Sequence, residues 1–210
     1  MIYTCYHFPF VFIGRLKMRT FFCSLLPRKK EETTPFTTQE QVLEKYGQGV
    51  NDEGKVVGMC RPMSNVYLDL LLKGKKPKDF LANDKKFLAL AIDEENRELE
   101  SGGSDVDHFA FTENGIPHTD ITVAKSDLTE ATFTDLLKEN KHLLITFPQK
   151  NADHEIYLGR KKKEGSCRFF DANIKGGERK GGCDELIHQM VGLMRSRYTE
   201  EDKPFSIGMT

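Results

Sequence analysis

The order of patterns along this chain predicts an α+β domain with its helices packed on one side of a mostly antiparallel sheet. Three observations carry that prediction. Apolar positions recur at helical spacing through the first half, short runs bounded by turn residues fill the second half, and a cysteine stands in the first turn of the first long helical run. With 210 residues the chain is long enough for one domain to bury a core without disulfides or metal. Residues 1–36 read as leader and linker, and 37–210 as the folded domain.

Within the leader, the apolar and aromatic stretch is interrupted by Arg15, Lys17 and Arg19, so it lacks the ~18 to 20 apolar residues of a membrane helix. It also lacks the basic start and small-residue cleavage site of a secretory signal. An export segment, a weak membrane-surface anchor and a packed first strand all fit it, and Met18 is an alternative start. PRKKEETTPFT, polar with two prolines, is linker sequence.

Thr37 with Glu40 forms a capping box for a helix over about 38–46. Apolar residues at 59, 63, 66, 67, 70 and 71 make a second helix, with Cys60 and Pro62 in its first turn. A third spans 78–98, and SGGSD breaks the run. DHFAF (107–111), ITVA (121–124), LLITF (143–147), HEIYLGR (154–160) and CRFFDAN (167–173) read as strands, the last two joined at Glu164 and Gly165. Ser126 caps a helix bearing Phe133, Leu136 and Leu137. KGGERKGG (175–182) reads as an open loop, then comes an amphipathic helix from about Cys183 to Met194, and PFSIGMT closes the sheet as an edge strand.

The charges nearly cancel, leaving a net −1, so the overall balance does not call for nucleic acid or an anionic membrane. KGKKPK and RKKK are short enough to be solvated surface. Five cysteines, an odd number with no CxxC pair, point to reduced thiols rather than a disulfide framework. His7, His108, His118, His142 and His188 fall in no metal-ligand spacing, and the glycine-rich 175–182 lacks a phosphate loop's ending, so no metal, nucleotide or other cofactor is expected.

A cysteine in the first turn of a helix meets unpaired N–H groups and the positive end of the helix dipole, which favour thiolate. Gly58, two residues earlier, lets a substrate approach the backbone closely, and the Cys60 N–H can face an oxyanion. The competing reading of Cys60 is a small packed core residue. A thiolate needs a base and an orienting acid. A hairpin turning at Glu164 and Gly165 sets His154 opposite the stretch Asp171 to Lys175, with Asn173 as the alternative orienting residue.

GMCRPMSNVYLDLL (58–71) resembles the nucleophile motif of the YopT and AvrPphB type of bacterial effector cysteine proteases. HEIYL (154–158) resembles the histidine strand of that family, and RFFDANIKGG (168–177) its acid segment. The resemblance spans roughly 55–180 and leaves out the leader. It implies a papain-like fold and a catalytic triad of Cys60, His154 and Asp171. It further implies a thiol protease secreted as a virulence effector from a bacterium into the host cell cytosol, acting on a host protein such as a small GTPase or a kinase. Two departures stand out: Ala172 replaces a common proline, and no Asn or Gln lies about five residues before Cys60 to serve as the side-chain oxyanion donor. Gln48 and Asn51 are the nearby candidates.

The same three groups also serve glutamine deamidases, transglutaminases and acyltransferases, which differ only in the second nucleophile. A protein-interaction module without catalysis is the other alternative.

Overall fold

A computed structural model of the chain describes residues 33–49, 57–102, 108–149, 152–198, 200 and 203–210; the leader reading and Asn51 lie outside them. Thr38, one position after the residue expected from sequence, caps α1 (Gln39–Lys45) by accepting the Gln41 N–H. The helix α2 (Cys60–Leu72) begins at the cysteine itself and carries Pro62 in its first turn, where a missing N–H costs nothing. The third expected helix is two, α3 (Pro77–Leu81) and α4 (Asp84–Glu100), because Asn83 accepts the Lys86 N–H and restarts the chain.

DHFAF is not a strand. Its apolar residues form the short helix α5 (Phe109–Glu113), which buries Phe109, Ala110 and Phe111 together, while the Ala110 N–H donates to the Asn65 side chain of α2 at 2.8 Å. The helix α6 (Glu130–Glu139) is capped by Thr129 rather than Ser126, which sits in a preceding 3₁₀ turn.

Among the described residues six strands, β1 (Thr119–Val123), β2 (His142–Pro148), β3 (Asp153–Arg160), β4 (Ser166–Phe170), β5 (Glu178–Gly182) and β6 (Phe205–Met209), form one sheet in the order β1-β6-β2-β3-β4-β5. Every neighbouring pair is antiparallel. Two expectations change here. KGGERKGG contributes β5, because the open edge of β4 hydrogen-bonds its backbone whatever side chains it carries. PFSIGMT supplies β6, which lies inside the sheet between β1 and β2.

The α+β class holds, but helices cover both faces of the sheet. Leu144, Tyr157 and Phe170 pack with α2 and its neighbours, and the Tyr67 and Phe170 rings stack at 4.6 Å. On the other face Leu143, Ile145, Phe147, Ile156 and Leu158 pack with α6 and α7 (Cys183–Arg197). The apolar run of β2 alternates into both cores, so both need cover. Cys167 and Cys183, expected as free thiols, form a disulfide joining β4 to the start of α7. Among the described residues no helix is long and apolar enough to cross a membrane.

Candidate active site

Cys60 opens α2 with 8 % of its surface exposed, and it is the free cysteine among the described residues. The start of this helix is set against the start of β3 by a buried clamp. Ser64 Oγ donates to the Glu155 carbonyl at 3.0 Å, Asn65 Nδ2 to Glu155 Oε1 at 3.0 Å, and Thr146 Oγ1 of β2 to Glu155 Oε2 at 3.2 Å. Two of these donors meet the Glu155 carboxyl oxygens and the third its carbonyl, and together they fix how α2 lies on the sheet.

The clamp places His154, the residue before Glu155, next to the sulfur. Its ring stands close enough to the Cys60 side chain that the two shift each other's protonation. The thiol also lies 3.7 Å from the Asp153 carbonyl. Across the sheet His154 pairs with Phe147, and the two rings meet edge to face at 5.4 Å. Nε2 stands 2.9 Å from Asp171 Oδ1; a carboxylate accepts, so Nε2 carries the proton and Nδ1 is the nitrogen left for sulfur.

Asp171 follows the last residue of β4 and is fully buried. Its N–H donates to the Gly177 carbonyl at 3.0 Å, and its Oδ1 also accepts the Asn173 N–H at 2.8 Å, so the turn after β4 holds the carboxylate in place. Gly177 has φ of +69°, and a Cβ there would lie 2.6 Å from the Phe170 ring, so only glycine closes this turn. Asp171 Oδ2 accepts from Arg197 Nη1 at 3.1 Å.

These contacts decide the charges. Burial pushes the Cys60 thiol up, but the hydrogen bond and charge of His154, with the N–H groups of Glu155 and Arg61, bring it below its ordinary value. Burial pushes His154 down, yet Asp171 and Cys60 outweigh it and raise it to about 9. For Asp171 burial works upward, and the hydrogen bond and charge of His154, the Asn173 N–H and Arg197 hold it below the usual carboxylate range. The contacts therefore shift Cys60 toward thiolate, His154 toward imidazolium and Asp171 toward carboxylate.

The structure brings Cys60, His154 and Asp171 to one point. Asn173, weighed as the alternative orienting residue, lies with its Nδ2 3.5 Å from both ring nitrogens of His154, over the ring rather than in line with either. Gln48 lines a cavity of about 500 Å³ together with Gln39, Leu43, Val57, Gly58 and Asn173. Sequence reasoning missed Gln39. Its Oε1 accepts the Met59 N–H at 2.8 Å, its Nε2 donates to Asn173 Oδ1 at 2.5 Å, and its own N–H donates to the Ala172 carbonyl at 2.7 Å. It bridges the start of α2 to the turn that carries the acid, and no local motif marks it. Glu155 and Arg197 were missed for the same reason. Among the described residues no group of histidine, cysteine and acid side chains is arranged to hold a metal ion.

No family model matches the chain, and no curated protein matches it. Among solved structures, a crystal structure of the Pseudomonas avirulence protein AvrPphB is similar, with a TM-score of 0.48 and 16% sequence identity over 77% of this chain and 93% of that one.

Proposed function

We propose that the chain is a thiol protease in which Cys60 is the nucleophile, His154 the general base and acid, and Asp171 the residue that orients the ring. The observation that carries this reading is the buried series from the sulfur at a helix start, through an imidazole beside it, to the carboxylate that imidazole hydrogen-bonds, an arrangement that shifts the thiol toward thiolate. The thiolate attacks a peptide carbonyl carbon, and N–H groups of the first turn of α2 face the oxyanion. The imidazolium gives its proton to the leaving amine as the C–N bond breaks, leaving a thioester. His154 then takes a proton from water, whose oxygen displaces the sulfur and releases the acid product.

The motif resemblance extends the proposal to a host protein as target, a small GTPase or a kinase, reached by export from a bacterium into the host cytosol. Deamidase, transglutaminase and acyltransferase chemistry would use the same thioester with another second nucleophile.

Full-length protein and its Cys60→Ala variant, incubated with a peptide library of mixed sequence, test the reaction. New peptide termini are expected with the native chain only, while the two proteins melt alike. Cleavage that persists in Cys60→Ala overturns the assignment of the nucleophile. Intact masses of modified peptides separate the other reactions: a gain of about one dalton for deamidation, a crosslink, or an added acyl group.

A further inference from the structure

Arg197 lies in the last turn of α7, far in sequence from the residues it meets. Its side chain is 32% exposed, yet its guanidinium reaches the fully buried Asp171 and takes Oδ2 at 3.1 Å, while Oδ1 serves His154 and the Asn173 N–H. The carboxylate is held at both oxygens and cannot rotate away from the ring. His154 faces Cys60 of α2 and Asp171 after β4, has Asp153 and Glu155 as its chain neighbours on β3, and is linked to Arg197 of α7 through Asp171. Of these, Glu155 is turned to Asn65 and Thr146, so Asp171 is the carboxylate the ring meets.

We propose that Arg197 is a positioning residue for the proposed protease: it fixes Asp171 through Oδ2 and, by sharing the carboxylate's charge, keeps the imidazolium able to release its proton to a leaving amine. A carboxylate facing the ring with no second cation would bind the imidazolium proton more tightly, which weakens the ring as a general acid. The role assigned to Arg197 rests on the protease reading, but its electrostatic part does not.

The test is the titration of the His154 ring followed by nitrogen-15 NMR in the full chain. In Arg197→Met and in Arg197→Gln, which keeps a donor without the charge, the midpoint is expected to rise by about half a unit or more. Arg197→Lys is expected to return it close to the native value. Midpoints that stay put or fall in both neutral variants overturn the proposal, and so does a lowered melting temperature with an unmoved midpoint, which assigns Arg197 to packing alone. If the native chain cleaves no peptide, the protease reading fails, while the ring titration still decides whether Arg197 governs His154.

Discussion

Gln39 has its amide shared between two elements, accepting the Met59 N–H on one side and donating an N–H to Asn173 Oδ1 on the other. Met59 is buried, so Gln39→Leu leaves its N–H without an acceptor in a place water does not reach. We expect that substitution to lower unfolding free energy by about 1 to 3 kcal/mol in urea titrations and to slow alkylation of Cys60. Gln39→Glu, which keeps the acceptor, should lose less. Equal stability of Gln39→Leu and the native chain would show that the bridge holds nothing. The contrast with Cys60 shows what a sequence conveys at this scale. A cysteine at a helix start announces itself through its neighbours on the chain, as does a histidine at the start of a strand. Gln39 meets a partner 134 residues away and Arg197 one 26 residues away, and neither contact has a local pattern.

In β2 and β3 a buried pair of polar side chains sets an acid limit on the element. His142 Nδ1 lies 2.8 Å from the Tyr157 hydroxyl, and the hydroxyl fits there because Gly159 has no side chain: a Cβ on it would stand 2.0 Å from that oxygen. Burial, with Lys141 and Arg168 nearby, pushes His142 down to about 4. The sign follows from the protons bound. Between the ordinary value of 6.5 and about 4 the unfolded chain takes a proton that the folded chain refuses, so stability falls as pH falls through that window. The loss attributable to this residue is roughly 3 kcal/mol. In His142→Gln, unfolding free energy measured at intervals from pH 7 to pH 4 should fall less steeply than in the native chain. Parallel slopes would remove His142 as the cause. Strand patterns rich in aromatic and branched residues, such as HEIYLGR, were legible. KGGERKGG was not, since what makes it a strand is the open backbone edge of β4, and DHFAF was misread because five residues are too few to separate an alternation from a buried helical turn.

The described domain is a sheet between two helical layers, and α7 is fastened to it at both ends, by the Cys167–Cys183 disulfide at its start and by Arg197 on Asp171 at its finish. An odd number of cysteines with no close pair gave no sign of this, because the two halves meet only when the β4 strand and α7 pack. The bridge closes a loop of sequence separation 16, which corresponds to about 3 kcal/mol in the chain-entropy view. The double variant Cys167→Ala, Cys183→Ala should therefore unfold at lower urea than the oxidised chain, and reductant should shift the native protein by a similar amount without shifting the variant. If reductant leaves the native midpoint unmoved, the bridge does not contribute to stability. The class of fold was legible from the succession of patterns, whereas the second helical layer was not, because the apolar run of β2 does not say which of its faces is covered.

The position of β6 has a consequence for how the protein is made. Residues 205–209 are translated after every other strand, yet they sit between β1 and β2, and their Phe205 begins a series of rings running through Tyr198 and Phe147 to His154. Until β6 is made, the place between β1 and β2 is vacant and Tyr198 lacks its contact with Phe205. The sheet that carries His154 is therefore completed only when β6, made after the other five described strands, takes its place beside β2.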